Sequence, residues 1–132
     1  MEDIKAILEA NLVGTLATLN EDGSPWATPV HVIAGDNELY WYSKDSHQHS
    51  QNILRDPRVS LALWGRTEGT KGAYIQGTAV RLEGDVAEQA FARIRKPDGT
   101  LPGVFENTSP YLLPVGPINR DKSSENRWYF YS

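Results

Sequence analysis

The chain has no cysteine, which excludes disulfides, thiolate metal sites, iron–sulfur clusters and a cysteine nucleophile, and leaves only oxygen and nitrogen ligands. No apolar run approaches the ~20 residues of a membrane span. The opening MEDIKAILEAN is acidic where a signal peptide carries basic residues, so the expected address is the cytoplasm, with no membrane partner. A basic stripe able to neutralise phosphates is missing and the net charge is −4, so nucleic acid is not an expected partner. There is no internal repeat and no Gly-x-Ser-x-Gly elbow for a serine nucleophile. What is present, 132 residues of which 39% are hydrophobic and 23% charged, is enough for one domain, residues 1–132, around a single core.

Most of that domain reads as strand. After a short helix over residues 2–11, with Ile4, Ile7 and Leu8 on one stripe, residues 12–19 alternate as a strand and stop at Asp22-Gly23, a hairpin turn. A second β run, Pro25 to Ile33, contains Pro29, which has no N–H for a ladder and so marks an edge, a bulge or a kink and one unpaired backbone position. After a turn at Ala34 to Asn37, Leu39 to Ser43 carries Trp41 on one face and Tyr40 and Tyr42 on the other. Both faces are therefore expected to be covered, by core, ligand or another subunit. A helix from a Ser46 cap to about Arg55 is ended by Asp56-Pro57, a strand alternates through Val59, Leu61 and Leu63, and a polar loop covers residues 65–72.

Ala73 to Glu83 is a long strand in which Gly77 predicts a bulge or a close approach. Asp85 and Glu88 have the spacing of a capping box for a helix to about Arg95, with Phe91 and Ile94 facing inward. From Lys96 to Asn126 no period is sustained, and Pro97, Pro102, Pro110, Pro114 and Pro117 interrupt the chain. Such a segment is usually a lid, a binding loop or a subunit contact. Tyr111 to Val115 is expected as a short strand and Arg127 to Tyr131 as the last one, since its aromatics are costly to expose.

The stretch from Glu38 to Trp64 carries the chemistry. Ser43, Lys44, Ser46, His47, Gln48, His49 and Ser50 crowd the start of its helix, where unpaired N–H groups and the helix dipole attract an anion. An ordinary serine cap on a surface helix explains the same residues. His47 and His49, two apart on a helix, point in different directions and lack a third ligand, so no metal site is expected. His31 alternates within a β run as an ordinary strand residue. Trp26, Trp41, Trp64, Trp128 and six tyrosines are either core and interface or a stacking surface. A stacking surface beside a phosphate cradle suits a flavin nucleotide.

LATLNEDGSPWATPVHVI, LYWYSKDSHQHSQNILRDPRVSLALW and AYIQGTAV, in that order, resemble the pyridoxamine 5'-phosphate oxidase-like family over about residues 12–83. The most specific part is S-x-x-S-x-x-H-S-x-N-I followed by D-P-R-V-S-L. The resemblance implies a mainly β fold, a six-stranded Greek-key split β-barrel with a few flanking short helices. It also implies a homodimer with one flavin mononucleotide (FMN) in each of two interface clefts, and sister groups bind deazaflavin or heme. Carried over, Thr28, Pro29 and Val30 lie against the flavin ring, and Tyr42 and Ser43 along the ribityl chain and phosphate. His47, Gln48 and His49 fall at the phosphate, with Lys44 adding a charge beside it, and Gln76 reaches the ring system. Arg127 and Trp128 come from the partner subunit.

The implied activity is FMN-dependent oxidoreduction of a small-molecule substrate or by a nicotinamide reductant, with no catalytic side chain assigned. A non-enzymatic flavin-binding protein is the alternative. The family's oxidases carry basic residues where this chain has Gln48 and His49, and an arginine near Thr28. A weaker phosphate grip is therefore implied.

Overall fold

The computed structural model describes residues 13–35, 38–65, 71–115 and 127–131. The expected helix over residues 2–11 lies outside them, as do most of the loop at residues 65–72, part of the turn before Glu38 and residues 116–126. Alternation produces β1 (Val13–Leu19), which buries Gly14, Leu16 and Thr18. It returns through the Asp22-Gly23 turn as β2 (Pro25–His31), with Gly23 at φ +85° and the Asp22 carboxylate accepting the Ser24 N–H at 2.9 Å. Then follow β3 (Ile33–Gly35), β4 (Glu38–Ser43), α1 (Gln48–Arg55), β5 (Arg58–Gly65), β6 (Lys71–Thr78) and β7 (Val80–Arg81). The chain continues with α2 (Gly84–Ala92), a 3-10 turn (Gly103–Phe105), β8 (Ser109–Pro114) and β9 (Arg127–Tyr131).

The fold is mainly β, with two helices among the described residues and two antiparallel sheets ordered β2-β1-β5-β6-β9 and β3-β4-β8-β7, an arrangement consistent with a split barrel. Nine strands are described where six are expected. Two long strands are each divided as they bend from one sheet into the other, β2 into β3 at Val32 and β6 into β7 at Ala79, and β9 adds an edge. Pro29 sits, as its missing N–H requires, on an outer strand. Among the described residues no helix is long and apolar enough to cross a membrane.

Leu16, Val32, Trp41, Leu61, Ile75, Tyr111 and Leu113, drawn from both sheets, form the main core, in which the Trp41 and Tyr111 rings stack at 6.1 Å. A second cluster joins Tyr40, Tyr42 and Leu82 to Ala87 and Ala90 of α2, with Phe91, Ile94 and Phe105 packed against it. β4 is thus covered on both faces by core, the first of the three coverings its aromatics allow.

Several local expectations are corrected. Gly77 makes no bulge and pairs in regular register with Val59; the interruption falls at Ala79, whose N–H turns aside to the Pro57 carbonyl at 2.9 Å. Asp85 does not cap α2. Gly84, at φ +62°, swings the chain into the helix first, Glu83 becomes the cap residue, and Asp85 enters the first turn. The helix ends at Ala92, short of Arg95, although Phe91 and Ile94 do face inward. The expected short strand near Tyr111 starts earlier, at Ser109, and lies between β4 and β7 despite Pro110 and Pro114.

Candidate functional site

Where the two sheets part, a cavity of about 240 Å³ is lined by Thr28, Pro29, Val30 and His31 of β2, Tyr42 and Ser43 of β4, Lys44, His47 and His49 at the start of α1, and Val104 and Thr108 ahead of β8. Eight sequence-selected residues thereby meet: Thr28, Pro29, Val30, Tyr42, Ser43, Lys44, His47 and His49. Gln48 does not join them, because its amide donates to Asn52 Oδ1 at 2.8 Å along its own helix. Gln76 is also absent from the lining. It lies on β6, separated from β2 by β1 and β5, and pairs in register with Arg127 of β9. The side chains of Arg127 and Trp128 are outside the described residues.

The helix cap differs from the expected one. Ser46 belongs to the turn closed by the His47 N–H on the Lys44 carbonyl at 3.1 Å, so the extended residue ahead of α1 is His47, which makes no side-chain cap hydrogen bond. The first N–H groups of α1 are therefore left uncapped by a side chain at a cavity wall. The same shift overturns the expected divergence of the two histidines. His47 is extended rather than helical, and its ring comes within 5.5 Å of the His49 ring.

His49 is buried and its Nε2 lies 2.9 Å from the Ser43 hydroxyl, also buried. Burial, reinforced by His47, pulls its pKa down to about 4, so at neutral pH it is an uncharged hydrogen-bonding group. Lys44 is exposed and is the lysine or arginine that lines the cavity among the described residues. Tyr42 lends its ring and backbone only. Its hydroxyl donates to the Ala90 carbonyl at 2.6 Å, and burial pushes its pKa up to about 12. Among the described residues no other tyrosine and no tryptophan lines the cavity, so Trp41 and Tyr111 are core rather than stacking surface, and exposed Trp26 is not part of the lining.

Two polar centres hold this arrangement, and neither is among the expected cofactor-binding residues, although Asn52 is the asparagine of the S-x-x-S-x-x-H-S-x-N-I motif. Asn52, fully buried on α1, donates to Thr18 Oγ1 and Asn20 Oδ1, each at 3.0 Å, and docks the helix on β1. Asp45, in the turn between β4 and α1, accepts from Arg81, Ser109 and Tyr111. The Arg81 guanidinium holds its carboxyl far below the usual carboxylate range. Asp45 could not be singled out, because its partners lie 36 to 66 residues further along the chain. His31, Val104 and Thr108 also line the cavity without having been selected for it.

The pyridoxamine 5'-phosphate oxidase family model matches residues 1–114. No curated protein matches the chain. Among solved structures, a protein of unknown function from Agrobacterium tumefaciens is 22% identical with a TM-score of 0.74, covering 98% of this chain and 55% of that one. A heme binding protein from Mycobacterium smegmatis is 28% identical, TM-score 0.66, covering 85% of this chain and 49% of its own. The chain thus spans about half the length of these two. A Listeria innocua protein provisionally assigned as a pyridoxamine 5'-phosphate oxidase is 23% identical, TM-score 0.68, covering 86% and 91%.

Proposed function

Since this chain belongs to the pyridoxamine 5'-phosphate oxidase family, we propose that it is an FMN-dependent oxidoreductase whose flavin phosphate is held at the start of α1. The observation that carries this reading is the helix N-terminus without a side-chain cap, opening on the cavity beside Lys44, Ser43 and His47. The donor set fits a phosphate. The N–H groups of α1 and the helix dipole favour an anion, Lys44 adds a cation, and Ser43 with neutral His49 supplies hydrogen bonds without a counter-anion. Across the cavity, the edge strand through Thr28, Pro29 and Val30 presents backbone to a flat ring. When bound, the flavin supplies hydride transfer at its ring nitrogen, and the chain orients it and limits access of water.

The cavity volume also bears on assembly. About 240 Å³ is less than the ~300–1,000 Å³ of ordinary ligand pockets. We therefore take the complete site to be a cleft between two copies of the chain. Gln76, Arg127 and Trp128, at the opposite side of the first sheet from β2, then serve the partner's cavity. We take the six strands of the expected Greek-key barrel to be the described strands with each bent pair counted once and β9 set aside. The substrate class is a small molecule or nicotinamide reductant, in a cytoplasmic setting without membrane or nucleic acid.

Heme is the second reading, supported by the Mycobacterium smegmatis neighbour and by two exposed imidazoles, His31 and His47, on the cavity lining. Deazaflavin or flavin binding without turnover are outcomes of the same test. The absorption spectrum of the purified protein, with mass spectrometry of what denaturation releases, separates them: flavin bands and FMN are expected, a Soret band identifies heme, and a released deazaflavin replaces FMN. FMN titration should show Lys44→Ala binding about tenfold more weakly. Gln48→Ala should bind normally, since Gln48 is engaged with Asn52. A colourless protein whose melting temperature is unchanged by FMN would falsify the flavin reading.

A further inference from the structure

The turn that carries Lys44 and His47 to the cavity is fastened from both sides through one residue between them. Asp45 Oδ1 accepts from Arg81 Nε at 3.0 Å and from the Tyr111 hydroxyl at 2.7 Å, and Oδ2 from Arg81 Nη2 at 2.9 Å and the Ser109 hydroxyl at 3.0 Å. Its backbone carbonyl accepts the Gln51 side-chain amide of α1 at 2.6 Å. The carboxylate is thus held to β7 and β8 by a two-pronged charged contact and two hydroxyls, while the carbonyl is held to the helix whose N-terminus opens on the cavity. Asp45 itself is not among the lining residues, whereas Lys44, His47 and Thr108, the residue before Ser109, are.

We propose that Asp45 is the positioning residue of the anion site. It sets the Lys44–His47 turn and the start of α1 through its contacts with Arg81, Ser109 and Tyr111, and this rests on the reading of that site as the phosphate holder. A negative charge beside an anion site is unfavourable in Coulomb terms alone, so its presence there is explained by geometry. Arg81 offsets the charge, and the fork fixes direction as well as distance.

The sign of one substitution separates the two effects. If Asp45 acted only as a charge, Asp45→Asn would tighten FMN binding. A positioning role predicts binding weaker by about tenfold, the scale on which groups that orient ligand-holding residues act. It also predicts faster hydrogen exchange at the amides of residues 44–50 in the free protein, with the β1–β2 hairpin unchanged. Arg81→Lys, which keeps the cation but not the fork, should move both readouts in the same direction, and it decides the matter if Asp45→Asn does not fold. Unchanged exchange in the turn, or FMN bound as tightly as by the wild type, overturns the proposal. If the wild type itself binds no FMN, the phosphate reading fails and the exchange measurement alone decides whether Asp45 holds the turn.

Discussion

Asn52→Ala lowers the free energy of unfolding by about 2–4 kcal/mol, the range for losing a buried polar centre together with its volume. Asn52 is fully buried and donates to both Thr18 and Asn20 while accepting from Gln48. Thr18 is buried too, so truncation leaves its hydroxyl without this donor in a place water does not reach. Because these bonds join α1 to β1, the variant also loosens the helix whose first turn forms the cavity wall, and FMN affinity should fall with stability. Asn52→Leu, which restores volume but no donor, should recover only part of the loss. Urea unfolding at pH 7 measures both, and a loss below about 1 kcal/mol in the alanine variant would show that the polar centre is dispensable.

Acidification provides the second large effect. His49 takes up its proton near pH 6.5 in the unfolded chain but only near pH 4 in the folded one, because burial and the neighbouring His47 oppose the charge. Between those two values the unfolded chain holds more protons, so stability falls as pH is lowered through that window. The contribution of His49, on the order of 2–4 kcal/mol, is fully lost below about pH 4. The Asp45 carboxylate, held far below its usual range by Arg81, yields its share of stability only at lower pH. His49→Gln keeps a hydrogen-bonding group for Ser43 without a titrating ring, so its stability should be flatter from pH 6.5 to 4. Identical slopes in variant and wild type would remove the buried neutral histidine from the account.

What could be read from the chain and what could not divide along physical lines. Alternation, the Asp22-Gly23 turn and the Pro57 stop act over a few residues, and the strands and α1 follow from them. β8 was half hidden because Pro110 and Pro114 break the alternation, although its place between β4 and β7 depends on buried Tyr111 and Leu113. Serine's strong preference for the cap position favoured Ser46, but the Lys44–His47 turn moved the start of α1 beyond it. For the site, the residues of β2, β4 and the turn were legible as one group through the family resemblance, and the cavity brings most of them together. Asp45 was not, and Asn52, though a fixed position of the motif, had no role legible there, since each matters through partners that only the folded chain brings near.

The bends at Val32 and Ala79 bear on how the protein comes apart. Each is buried, and each makes one continuous run of backbone serve both sheets. The cavity draws its walls from β2 of one sheet, from β4 and the approach to β8 of the other, and from the start of α1, which docks on β1. Neither sheet can peel away while the other stays intact, so denaturation should proceed as a single cooperative transition. A ligand bound across that seam then resists global unfolding rather than a local opening, and its affinity reads out directly as a rise in the melting temperature of the whole chain.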